Sequence, residues 1–156
     1  MRLKDELQQD SQLTTAAVSA VRKCADTMGS QAENLTQSLP ELPMDASLRA
    51  KALELGAALK DTSDRVMFEL ALLQTELSDD KADRSVAVQR LSGLEAAMLG
   101  VMADATDLVD QLENAAERDE KQEPAFVLVI EAVGVLLQEL QRAKYATGTL
   151  LSGAGQ

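Results

Sequence analysis

The chain has no histidine and no tryptophan, a single cysteine (Cys24), three prolines, and three aromatic side chains, Phe68, Phe126 and Tyr145. Each shortage closes off a class of chemistry or architecture. Without histidine there is no Ser-His-Asp triad, no phosphohistidine relay and no Glu-x-x-His di-metal motif of the kind helical bundles carry. One cysteine makes neither an intramolecular disulfide nor a cysteine-rich zinc site. At its core-like position Cys24 reads as a small buried hydrophobe, in keeping with a reducing compartment. Sheet proteins draw on aromatic and β-branched residues, whereas this chain draws on leucine and alanine, so the expectation is all-helical. Phosphate-cradling glycine loops, a nucleophile elbow and EF-hand spacing are also missing from the sequence.

Basic residues are scarce as well. Fifteen Lys and Arg face 26 Asp and Glu, for a net charge of −11, about −4 up to Ser78 and −7 after it. Such a balance disfavours nucleic acid and anionic membranes as partners. No apolar run reaches the roughly 20 residues of a membrane span. The nearest, "EPAFVLVIEAVGVLLQEL" from Glu123 to Leu140, is shorter and holds Glu131 within it. The N-terminal "MRLKDELQQD" is polar and does not read as a signal peptide. The expectation is a cytoplasmic, acidic protein without membrane insertion, cofactor or metal.

What is present is helical periodicity, in four segments. The first stripe is Leu3, Leu7, Ala17, Val21, Cys24, Met28 and Leu35, with Gly29-Ser30 as a place to bend; it ends at "SLPELPMD", where Pro40 and Pro43 disfavour helix in the residues before them. Asp45 stands as the N-cap of the second stripe, Leu48, Ala52, Leu55, Leu59, Thr62, Val66, Leu70, Leu73 and Leu77. Beyond the charged linker "SDDKADRS" comes the third, Val88, Leu91, Leu94, Met98, Val101, Ala105, Leu108, Leu112 and Ala115. That stripe fades in "ERDEKQE", and Pro124 opens the fourth helix in its first turn, where a missing amide costs little. Four long helices with short connections predict an up-down-up-down antiparallel bundle over residues 1–151, with 152–156 a flexible tail. A flatter helical array completed by dimerisation is the alternative. Gly93 and Gly100, a heptad apart, and Gly56 beside Ala57 and Ala58 predict close helix–helix contacts, since glycine within a helix costs about 1 kcal/mol relative to alanine.

The fourth segment is apolar on more than one side. Phe126, Val129, Ile130, Val133, Leu136, Leu137, Leu140 and Leu151 cluster in one arc at 100° per residue and form its expected core face. Val127, Leu128 and Val135 fall outside that arc and surround Glu131. Either this helix sits deeper than its neighbours or the linker before Pro124 folds over it, or the second patch is a dimer or ligand-helix surface on which Glu131 sets register against a basic partner. Val127, Leu128, Glu131 and Val135 are the candidate partner-binding residues. The acids Asp104, Asp107, Asp110, Glu113, Glu117 and Glu120 read as a solvated face, or as a cation site or docking face.

The stretch "LTTAAVSAVRKCADTM", through Leu13, Ala16, Ala17, Ala20, Val21, Cys24 and Met28, resembles the alanine-rich amphipathic helices of talin and vinculin rods. The stretch "LEAAMLGVMADATDLV" resembles them through Leu94, Ala97, Met98, Val101, Ala105 and Leu108. The resemblance implies a cytoskeletal scaffold. Together these features predict a non-enzymatic interaction module, an adaptor or scaffold with coiled-coil-like packing, that binds a protein or peptide as an amphipathic helix or basic motif. A structural or chaperone-like homodimer is the alternative, and a bundle phosphatase a third reading.

Overall fold

A computed structural model describes the backbone of residues 2–77 and 84–154 and the side chains of residues 12–76 and 85–150. Four helices account for nearly all of it: α1 (Arg2–Ser38), α2 (Ala46–Leu77), α3 (Arg84–Arg118) and α4 (Glu123–Ala154). At 32 to 37 residues each, they are about 48–55 Å long. The expected linker between the second and third helices falls largely outside the described residues. Helix α4 runs three residues past the expected boundary at 151.

The helix ends follow from local chemistry. Helix α1 runs unbroken through Gly29 and gives way to a 3₁₀ turn over Leu39–Glu41, which holds Pro40 and buries Leu39 completely. Asp45 directly precedes α2 and its carbonyl accepts the Arg49 N–H at 2.9 Å. Beyond α3, the Asp119 carboxylate accepts the Lys121 N–H at 3.1 Å and opens a 3₁₀ turn over Glu120–Gln122. Pro124 is then the second residue of α4. Gln122 is buried, and its side-chain oxygen accepts the Asp45 amide at 3.0 Å. This bond ties the α1–α2 and α3–α4 connections together at one end of the molecule.

The helices form an up-down-up-down bundle. α1 packs on α2 and α4, α3 packs on α4 and less extensively on α2, and α1 and α3 also meet across the diagonal. The α1–α2 seam is narrow because its residues are small. A Cβ on Gly29 would lie 3.0 Å from the Ser63 hydroxyl, and one on Gly56 would lie 3.2 Å from the Thr36 hydroxyl. In this antiparallel pair, seven residues up α1 match seven residues down α2, so the two close approaches are one heptad apart. Ser63 is buried there and donates to the Ala25 carbonyl at 2.6 Å. The α2–α3 seam is bridged near its two ends, by Arg90–Glu76 at 2.8 Å and by Lys51 donating to Gln111 at 2.8 Å.

The described members of the second and third expected stripes are buried, except Thr62, whose place is taken by Ser63. Two expectations are corrected. Gly93 and Gly100 meet nothing within 4 Å, so they face outward and do not make the close contacts assigned to them. On α4, Ile130 and Leu137 are each 42% exposed, while Ala125, Ala132 and Ala143 are buried in their place. The true core face is therefore rotated towards the alanines. The large fully buried side chains are all leucine or methionine; Phe68 and Tyr145 are exposed and Phe126 is half-buried.

Candidate functional site

The outward face of α4 is set by what its inward face buries. Ala125, Val129, Ala132, Leu136, Leu140 and Ala143 are locked into the core. At 100° per residue this turns Val127, Glu131 and Val135 away from it. Val127 is 39% exposed and Val135 41%, and Glu131 is exposed between them. Leu128 differs from the expectation, because it is half-buried and packs against the core on the flank facing the α1–α2 connection. It anchors the patch as well as contributing to it.

Three of the four expected residues line one open groove of about 620 Å³ at the N-terminal end of α4. Leu42, Pro124, Val127 and Leu128 supply its apolar surface. Glu120, Glu123 and Glu131 line it with carboxylates. Val135 does not line the groove; it lies one turn beyond Glu131 on the same side of α4. Sequence periodicity had no means of finding Leu42, which arrives from a different connection. Its position is held by Arg49, whose guanidinium donates to the Leu42 carbonyl at 2.9 Å, and by the Asp45–Gln122 bond. The wall of the groove is thus prebuilt by hydrogen bonds on both connections. Arg142, two turns beyond Val135, pairs with Glu139 at 3.1 Å and leaves Glu131 without an ion-pair partner among the described residues.

A second, smaller recess of about 320 Å³ opens in the α2–α3 seam. Leu55, Ala58 and Leu108 form its apolar part, and Lys51, Glu54, Asp104 and Asp107 mix both charges around it. Asp104, Asp107, Asp110, Glu113, Glu117 and Glu120 are all exposed. Among the described residues, no group of three or more His, Cys, Asp and Glu is arranged to hold a metal ion.

The interior holds one polar cluster that the periodicity reading passed over. Glu95 is 8% exposed and Thr147 4%, and the Glu95 Oε1 and Thr147 Oγ1 atoms are both buried without a hydrogen-bond partner. Burial pushes the Glu95 carboxyl above the usual range; the nearby Thr147 hydroxyl and Lys144 ammonium oppose the rise. Yet no geometry that qualifies as a hydrogen bond joins the hydroxyl to Oε1. Cys24 is fully buried, and burial, reinforced by Glu139 and Glu95, pushes its thiol up to about 11. Such a thiol is protonated at neutral pH and is a packing group, not a nucleophile. Glu95 was legible in principle: Val88, Met102 and Val109 stand at heptad spacing around it and are all buried.

Apolar exposure elsewhere centres on Phe68, 65% exposed, with Leu72 one turn on along α2 at 42%. Helix α3 is, by length and composition alone, apolar enough to cross a membrane over Ser85–Arg118, and 39% of its most apolar window is buried in the bundle. No known protein family, no curated protein and no solved structure matches the chain. The likeness of its helices to talin and vinculin rods therefore rests on helical spacing alone.

Proposed function

We propose that the protein is a non-enzymatic interaction module, an adaptor or scaffold that holds a partner helix or peptide on the N-terminal outer face of α4. One observation carries this reading. Val127, Leu128 and Glu131 converge with Leu42, from a distant connection, on a single groove whose wall is fixed by hydrogen bonds. Preorganised apolar surface bordered by polar groups is what a helix-in-groove contact uses, because little is lost in ordering it on binding. The buried, protonated Cys24 accords with a cytoplasmic setting.

The test uses Val127→Asp with Val135→Asp, since both side chains project from the bundle. The doubly substituted chain is expected to keep its helical circular dichroism and to lose less than about 1 kcal/mol of stability, while a partner retained by the wild-type chain is lost. Unfolding of the variant would show these residues to be core, and undiminished retention would place the binding face elsewhere.

A homodimer is the second reading. Ile130 and Leu137, exposed and seven residues apart, give α4 a further apolar flank suited to a matching helix. Light scattering on a size-exclusion column separates the two, because the interaction-module reading expects a monomer.

A further inference from the structure

We infer that the groove at the start of α4 takes a basic amphipathic helix, with one aliphatic side chain seated on Leu42, Pro124, Val127 and Leu128 and a cation about one turn to either side. The inference rests on the reading of this face as a binding surface and names the chemistry of its occupant. Charge complementarity supplies the sign. Glu120, Glu123 and Glu131 line the groove, no basic side chain does, and the chain as a whole carries −11. An acidic or neutral occupant would draw these carboxylates out of water with nothing opposite them, whereas Lys or Arg at matching positions compensates the loss. The weakly positive N-terminus of α4 tempers Glu123, in its first turn, more than Glu131 two turns along. Glu131 is thus the main determinant of charge selection.

The occupant is helical because of what the surface offers. The described elements are all helices, whose backbone groups are bonded internally, so an extended segment finds no strand edge to pair with. A helix arrives with its own amides satisfied. Spacing follows from the same geometry. Glu123 and Glu131 are eight residues apart on α4, about 12 Å along its axis. A partner helix lying along α4 matches them with cations eight residues apart and an aliphatic residue midway. The pattern is cation, three residues, aliphatic, three residues, cation.

The probe is a fluorescent 20-residue alanine-rich helix of about that pattern, built with Lys and Leu, beside a twin in which Glu replaces each Lys. Anisotropy titrations use the full chain, Glu131→Lys and Val127→Asp, each checked for fold by circular dichroism. The Lys peptide is expected to bind saturably, with affinity falling as salt rises, and the Glu twin to bind at least tenfold more weakly. Glu131→Lys should weaken the Lys peptide by about tenfold and narrow or invert the preference. Equal binding of the two peptides, both lost on Val127→Asp, would overturn the basic partner and leave the groove reading standing. If neither peptide binds saturably, or if Val127→Asp changes nothing, the groove reading falls as well. A dimeric chain that Val127→Asp converts to monomer would assign the face to a second copy of the chain and overturn the inference.

Discussion

Glu95 is the residue at which the sequence and the fold are in conflict. It occupies a heptad position between buried Val88 and Met102, and its Oε1 atom has no hydrogen-bond partner. A charged carboxylate in that position opposes folding, and a protonated one opposes it less. The sign of the pH effect follows directly. Because folding raises the carboxyl's pKa, the folded chain keeps a proton that the unfolded chain has already released just above the usual carboxylate range. The folded state is therefore favoured in acid, and this contribution is lost as the pH rises through the raised value. Replacing Glu95 by Met removes both the charge and the orphaned oxygen. Urea unfolding at pH 7 should show a gain of about 1 kcal/mol, shrinking as the pH falls through the raised value to the usual carboxylate range and changing no further below it. A loss of stability at pH 7 would mean that Glu95 is compensated in a way its surroundings do not show. Lys144, Cys24 and Glu139 are the other titratable groups felt across this cluster, so the wild-type and substituted chains should be compared at each pH.

At the scale of the helix, glycines that look alike in sequence separate into two kinds. Gly29 and Gly56 sit on the seam between α1 and α2, and an added methyl group at either meets a side-chain hydroxyl. Gly93 and Gly100 face open space. Alanine at Gly93 or Gly100 should therefore stabilise the chain by about 0.5–1 kcal/mol through helix propensity. The same change at Gly29 should gain less, because the methyl group displaces the Ser63 hydroxyl from the Ala25 carbonyl. Restoring the full gain in a Ser63→Ala background would locate the cost in that contact, as thermal or urea unfolding of the four chains would show.

Legibility also varied helix by helix. The stripes of α2 and α3 were readable because their large aliphatic residues at helical spacing, Leu55, Leu59, Leu70 and Leu73 on one and Leu91, Met98, Leu108 and Leu112 on the other, are themselves the buried face. On α4, valine, leucine and isoleucine surround the helix, and periodicity weighted by large residues pointed towards Ile130 and Leu137. The fold instead buries Ala125, Ala132 and Ala143, because small side chains let α4 approach its neighbours closely. The outward placement of Val127, Glu131 and Val135 survived this rotation, since they lie far from either version of the core face. Leu128 did not stay wholly outside, and Leu42 entered the site through a contact between distant connections that no local pattern encodes.

At the scale of the whole molecule, the two connections at one end do more than join helices. Gln122 and Arg49 fasten the α1–α2 connection beside the start of α4 and thereby create a groove that neither connection has alone. Asp110, Glu113 and Glu117 lie on a solvated surface of α3, and Asp104 and Asp107 share their recess with Lys51, whereas Glu120, Glu123 and Glu131 are gathered around apolar side chains with no basic residue among them. Net charge alone distinguishes none of these acids from the others; only the topology does. The proposed meeting place with a partner is this end of α4. Its most direct test is a map of amide chemical-shift changes in the labelled full chain during titration with the Lys-bearing helix. Saturable changes are expected to cluster around Leu42 and from Glu123 to Val135, with the α2–α3 recess around Lys51 and Gln111 undisturbed. Changes centred on that recess or on Phe68 and Leu72, or none at all, would contradict it.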